Sequence, residues 1–186
     1  LNVTARLSMM IQWSLFIDIE GFSNCYRSDQ QVMALKLLSD LMMDLYKIGT
    51  QIYYGGSERL YIYQFGDGFL ICPDFGDSNL KRPISIAIAL MRSTACRDGF
   101  ARAAISQGGL KDILGCYPKA IQKKVKDGGL SLGEGLMTIN QVMGDALINA
   151  YKLSGSGPKG PRLLVTNELK SDVVNINAVS YTHLTL

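Results

Sequence analysis

One stretch limits this chain more than any other: LYIYQFGDGFLICPDF, residues Leu60 to Phe75. Tyr61, Tyr63 and Phe65 alternate with their neighbours as the residues of a half-buried strand do, and Phe69, Ile71 and Phe75 repeat the pattern after a break. The break is Gly66-Asp67-Gly68. Glycines on both sides of Asp67 permit the positive φ of a tight hairpin turn, so one carboxylate is expected at the tip of two strands. Such an aspartate is turn chemistry or a ligand, and this stretch by itself leaves both open.

A second carboxylate bears on that choice. WSLFIDIEGF, from Trp13 to Phe22, reads as a buried strand with Phe16, Asp18 and Glu20 on one face and Ile17 and Ile19 on the other, ending at Gly21. An ionised carboxylate inside an apolar strand is costly unless it is paired, and a metal ion, a salt bridge or a helix cap would each compensate Asp18. The turn Gly21-Phe22-Ser23 follows, and its backbone N–H groups could cradle a phosphate.

Composition removes several classes of function. The only histidine of the 186 residues is His183, three residues from the end. Histidine-assisted nucleophiles, histidine proton shuttles and histidine-ligated zinc are therefore not expected, and any catalysis should rest on carboxylates, metal ions and cations. A net charge of +3, with Lys and Arg interleaved among acids, offers no basic stripe for a nucleic-acid backbone. Cys25, Cys72, Cys96 and Cys116 lie far apart, which suggests neither a zinc knuckle nor a disulfide frame and points to a reducing cytoplasm. No apolar run approaches a membrane span, and the chain reads as soluble.

A hydrophobic content of 47% over this length fits one domain, expected over residues 13–180 with terminal segments at 1–12 and 181–186. Ser28 and Gln31 suggest a capping box that opens a helix with Leu35, Leu38, Leu41, Met42 and Leu45 on its buried face. Lys81 to Cys96 reads as a second helix, and FARAAIS, Phe100 to Ser106, as a fourth strand closed by Gly108-Gly109. The order strand, helix, strand, strand, helix, strand is the split βαβ, ferredoxin-like plan of an α+β fold. In that plan the end of the first strand and the turn between the second and third share one sheet edge, so Asp18 and Asp67 are expected to be neighbours. Beyond it, the lysine-rich segment from Leu110 to Leu130 is expected to be a solvated helical insertion. A strand, a helix from about Asp145 burying Ala146, Ile148 or Asn149, and Leu153, a loop over Gly155–Gly160, and a strand RLLVT extend the core. VVNINAV, from Val173, is a candidate last strand.

Two aspartates at one sheet edge beside a possible phosphate cradle describe a two-metal site for nucleotide chemistry. FIDIEGFSN, FGDGFLI, RAAISQGG and MGDALINAYKLSG, in that order and spacing, resemble the successive motifs of class III nucleotide cyclase domains. The resemblance implies Mg²⁺ or Mn²⁺ held by Asp18 and Asp67, with the Ile19 carbonyl as a further ligand. It also implies a head-to-tail homodimer with active sites in the groove between chains. Tyr63 stands where adenylate-type enzymes carry a base-reading lysine, Ile148 where they carry a catalytic asparagine, and Lys152 where they carry a transition-state arginine. This set, with the ending AYKLSGSGPKGPRLLVT, looks most like the Pycsar-type pyrimidine cyclases of bacterial antiphage defence. The reading is thus a cyclase converting UTP or CTP to its 3′,5′-cyclic monophosphate. Asp18 and Asp67 hold the metals, Tyr63 contacts the base, and the Gly21-Phe22-Ser23 backbone and Lys152 contact the phosphates. A purine cyclase, and a cyclase-fold regulatory module without turnover, are the alternatives.

Overall fold

The structure, a computed structural model, describes residues 10–52, 59–74, 76–126 and 128–170. Strand β1, Met10–Ile19, runs through the middle of the sheet because nearly every side chain along it is apolar and needs cover on both faces. Two helices follow, α1 (Phe22–Arg27) and α2 (Gln31–Lys47). The hairpin strands β2 (Leu60–Phe65) and β3 (Gly68–Pro73) come next, then α3 (Lys81–Ala95) and β4 (Ala101–Asp112). The sheet order β2-β3-β1-β4 with antiparallel neighbours is that of the ferredoxin-like plan. An extension completes the sheet and its cover: β7 (Val142–Met143), α5 (Asp145–Ser156) and β8 (Arg162–Val165) join the core, and β5 (Gly129–Leu132) pairs with β6 (Gly135–Thr138) apart from it. β8 lies parallel to the first half of β4, and β7 is antiparallel to its end.

Two apolar layers sandwich the sheet. Ile17, Ile19, Phe69 and Ile71 pack with Leu37, Leu41 and Leu45 of α2 and Ile84, Ala87 and Leu90 of α3. Phe16, Leu70 and Cys72 meet Ala146, Leu147 and Ala150 of α5 on the opposite face. β3 is therefore buried at every residue, not only at alternate ones. Among the described residues no helix is long and apolar enough to cross a membrane, and the four cysteines are free.

Several local expectations are corrected. Ser28 does not open α2; its hydroxyl donates to the Cys25 carbonyl (2.8 Å) and ends α1, while α2 starts from Gln30 with no side-chain cap. The buried stripe of α2 is Ala34, Leu37, Leu41 and Leu45, whereas Leu35 and Met42 are exposed. Leu41 and Leu45 are buried as expected, and Ala34 and Leu37 take the places expected of Leu35 and Leu38. β4 does not stop at Gly108-Gly109 but continues to Asp112. Those glycines are needed for close approach: a Cβ on Gly108 would lie 2.9 Å from the Ala146 backbone nitrogen, and one on Gly144 would collide with the Gly109 carbonyl. The stretch Leu110 to Leu130 is not a helical insertion. It holds the end of β4, a 3₁₀ turn (Leu114–Cys116), the one-turn α4 (Lys119–Gln122) and the start of β5. α5 buries Ala146, Leu147, Ala150 and Ser154 and leaves Ile148 and Asn149 exposed, and it takes in Gly155 and Ser156 before the expected loop, which continues to Gly160. VVNINAV lies outside the described residues.

Candidate active site

The hairpin turn is two residues long, with Phe65 paired to Gly68 across it. Gly66 has φ 62° while Asp67 keeps an ordinary negative φ, the pattern of a type II′ turn. Gly68 serves a different purpose from Gly66. A Cβ there would fall 2.6 Å from Phe16 Cζ and 3.1 Å from Asp18 Cβ, so only glycine lets the hairpin lie against β1 at this height. Gly68 is the register partner of Asp18. Asp67 and Asp18 thereby become neighbours at one end of the sheet and line the same cleft, of about 550 Å³.

Asp18 is 6% exposed and ion-paired. Arg102, its register partner on β4, donates from Nε to Oδ1 (2.7 Å) and Oδ2 (3.0 Å) and from Nη2 to Oδ2 (2.6 Å). This bidentate fork is the strong form of a charge-assisted pair, and Asp18 holds the guanidinium further above its already high range. The salt bridge left open by the sequence is thus realised. Asp67 receives no side-chain donor among the described residues. Burial, and then the charge of Asp18, push its carboxyl above the usual carboxylate range, only partly opposed by its own backbone N–H and by Arg102.

The row continues across the sheet. Arg162 of β8 is the register partner of Arg102, and Glu20, two residues past Asp18, lies between the two guanidiniums. Its Oε2 is 3.4 Å from Arg102 Nη1 and 4.0 Å from Arg162 Nη1. That oxygen is buried and accepts no hydrogen bond among the described residues. Arg162 is committed to backbone instead, donating to the carbonyls of Ser154 (3.2 Å), Gly157 (3.3 Å) and Gly160 (3.0 Å), and so it ties the end of α5 to the sheet.

The far wall of the cleft comes from the last turns of α5. Tyr151, 59% exposed, sets its ring edge-on to Phe16 at 5.2 Å, and Lys152 lines the opening with no ion-pair partner among the described residues. Phe65 stands at the hairpin side, 43% exposed. The other expected site residues fall elsewhere. Tyr63 is half-buried, packed against the core cluster of Phe16 and Leu70 with its ring stacked on Tyr61, and burial pushes its hydroxyl up to about 12. The nearest polar groups, the backbone of Gln141 and Val142, do not meet that hydroxyl in hydrogen-bond geometry. Ile19 pairs with Ala101, and its side chain lies in the α2 and α3 layer. Gly21 (φ 76°) caps α1, whose first residues Phe22 and Ser23 do not line the cleft; the Phe22 ring stacks on Tyr26. Ile148 is outside the cleft wall too.

Comparison with solved structures places this architecture. A bacterial light-regulated adenylyl cyclase superposes with a TM-score of 0.52 at 12% identity, over 83% of this chain and 42% of that one. A class III adenylyl cyclase-like ATP-binding protein from Pseudomonas aeruginosa superposes with a TM-score of 0.55 at 12% identity, over 87% of this chain and 36% of that one. The fold is that of the class III nucleotide cyclases. The chain spans less than half the length of each of these two neighbours. No family model matches the sequence, and no curated protein matches it either.

Within this cyclase fold the sequence reading missed Arg102, Tyr151 and Phe65. Arg102 had a signal, as the one charged residue in FARAAIS, an otherwise apolar strand. Its partner could not be read without the register of β1 on β4. Tyr151 was hidden by its surroundings, because one aromatic on a helix is more often core than cleft.

Proposed function

We propose that this chain is a nucleotide cyclase, in which the 3′-hydroxyl of a nucleoside triphosphate attacks the α-phosphorus in line and pyrophosphate leaves. The observation that carries the reading is the pairing of Asp18 with Gly68, which sets two carboxylates in one cleft beside Lys152, a lysine with no ion-pair partner among the described residues. The donor set fits hard divalent cations. Asp67 is a partly buried carboxylate that accepts no side-chain hydrogen bond among the described residues, and burial and Asp18 beside it raise its carboxyl more than Arg102 lowers it. Two carboxylates are few for calcium but ordinary for Mg²⁺ or Mn²⁺, which take their remaining oxygens from water and phosphate.

Asp18 and Asp67 would hold the cations, with the Ile19 carbonyl as a further oxygen. Bound there, such ions lower the pKa of an attacking hydroxyl and take up charge on the leaving group. The remaining work falls to the chain's own groups. Lys152 steadies the triphosphate as a point charge, without the fork an arginine would bring. The backbone N–H groups of Gly21, Phe22 and Ser23, at the start of α1 and outside the cleft lining, would reach the phosphates only of a substrate that extends past the cleft. Phe65 and Tyr151 at the cleft mouth offer apolar faces to a base or to a second chain. Tyr151, exposed at the cleft, and Ile148, exposed on the same helix, support the head-to-tail homodimer that the motif resemblance implies.

On the same resemblance, the substrate of the proposal is a pyrimidine triphosphate, UTP or CTP, and the product an antiphage second messenger. Tyr63 in place of a base-reading lysine supports it. The adenylyl cyclase and ATP-binding neighbours favour the second reading, a purine cyclase. Separate incubation with Mn²⁺ and each ribonucleoside triphosphate, following pyrophosphate and product mass, decides between them. Cyclic UMP or cyclic CMP upholds the first reading, cyclic AMP or cyclic GMP the second, and no product from any substrate contradicts both.

A further inference from the structure

Asp18 does not face the cleft as a free carboxylate in the arrangement described above, because both of its oxygens already accept hydrogen bonds from Arg102, which competes with a cation for them. The same guanidinium already faces a second carboxylate. Arg102 spends Nε and Nη2 on Asp18 and turns Nη1 toward Glu20, whose Oε2 is 3.4 Å away, buried, and without a hydrogen bond. A buried carboxylate oxygen with no donor costs on the order of 1–3 kcal/mol, so this acceptor stands ready for a better partner. Arg162 does not fill the need, since its Nη groups are held by the carbonyls of Ser154, Gly157 and Gly160. Glu20 follows directly on β1, two residues beyond Asp18, and Arg102 on β4 reaches both carboxylates. A short swing of one side chain passes its fork from the first carboxylate to the second.

We propose that Arg102 is a displaceable internal counter-cation: it neutralises Asp18 while the site holds no metal and transfers its guanidinium to Glu20 when a divalent cation is taken up between Asp18 and Asp67. The inference rests on the cation-binding part of the proposed function. It makes Glu20 and Arg102 positioning residues that set how tightly the site takes its metal, and it gives Glu20, which does not line the cleft, a reason to be an acid in a buried place. The cost of cation entry is then an exchange between two ion pairs and not the stripping of one.

The test is a titration of the full chain with Mn²⁺, following free Mn²⁺ by electron paramagnetic resonance, so that no turnover is needed. Removing the competitor in Arg102→Gln should tighten binding about tenfold, the scale of one unit charge at contact distance partly screened. Glu20→Gln removes the alternative seat and should weaken binding about tenfold, and Asp67→Asn should abolish it. Circular dichroism checks that each variant is folded. Should Arg102→Gln fail to fold, Glu20→Gln decides by itself, since a wild-type affinity there overturns the exchange. Unchanged or weaker binding in a folded Arg102→Gln overturns it as well, while a wild-type chain that binds Mn²⁺ leaves the cyclase reading standing. No Mn²⁺ binding by wild type or any variant contradicts both the exchange and the metal-dependent reading.

Discussion

Asp18 and Arg102 are register partners on β1 and β4, joined by a bidentate fork on one face of the sheet. On the other side of Asp18, across β3, its partner is Gly68. One row of the sheet therefore holds a glycine, a carboxylate and two guanidiniums, and the cleft opens at the glycine end, where Asp67 stands.

Gly68 is the geometric condition for that row. Gly68→Ala should destabilise the chain by about 1–3 kcal/mol, because a methyl group must displace Phe16 or the β1 backbone. Urea denaturation reads the cost. The account also expects Mn²⁺ affinity to fall in the fraction that remains folded, since the hairpin moves away from Asp18; an alanine variant of unchanged stability would contradict the close approach.

Asp67 should behave oppositely in stability. Its carboxyl is raised in the folded chain, by burial first and by Asp18 next. The folded state thus holds that proton more tightly than the unfolded state. This stabilisation is full below the unfolded pKa of about 3.9 and is lost as pH rises through the higher folded value. Asp67→Asn should therefore raise Tm at pH 7, with a gain that shrinks on acidification, while removing cation binding. A lower Tm at neutral pH would mean that the carboxylate is compensated after all.

The pair that ties α2 to α3 has the reverse sign. Asp44 accepts from Arg97 Nη1 (2.6 Å) and Nη2 (3.1 Å) and from Ser93 Oγ (2.7 Å), and Arg97 holds its carboxyl below the usual range. The stability it contributes is present above the unfolded pKa and is lost as pH falls through the lowered folded value. Asp44→Asn should cost about 1–3 kcal/mol at pH 7. Chemical denaturation at pH 7 and pH 3 should show that difference narrowing at the acid end.

Tyr63 separates packing from recognition. Its hydroxyl is buried without a hydrogen-bond partner, so Tyr63→Phe should leave stability equal or higher. If the hydroxyl reads a base, KM for the preferred triphosphate rises in this variant while Tm does not fall. An unchanged KM would assign Tyr63 to the core alone.

The parts of the fold that local chemistry dictates were legible in the sequence. The hairpin showed itself through alternation around Gly-Asp-Gly, and β1 through an unbroken apolar run that made Asp18 conspicuous. From these two elements the ferredoxin-like plan follows, and with it the nearness of Asp18 and Asp67. What stayed hidden depends on contacts between distant segments. Gly108 and Gly109 read as breakers, yet they continue a strand because α5 needs room above them. The Ala34 stripe of α2 was masked by the larger Leu35 beside it. Leu110 to Leu130 carries lysines at spacings a helix would accept, but its glycines and short apolar pieces settle into a hairpin and single turns. Arg102 was visible as a residue and invisible as a partner, for cross-strand register is not written in either strand alone.

The measurement that tests the central claim most directly is pyrophosphate release from the preferred triphosphate by wild type and by Asp67→Asn, with the Tm of each recorded in the same buffer. The account predicts a cyclic nucleotide product from wild type and loss of turnover by at least a hundredfold in a variant that is as stable or more stable, the scale expected when a metal-holding group is removed. Turnover that survives in Asp67→Asn would contradict the claim that the two carboxylates brought together by Gly68 carry the chemistry.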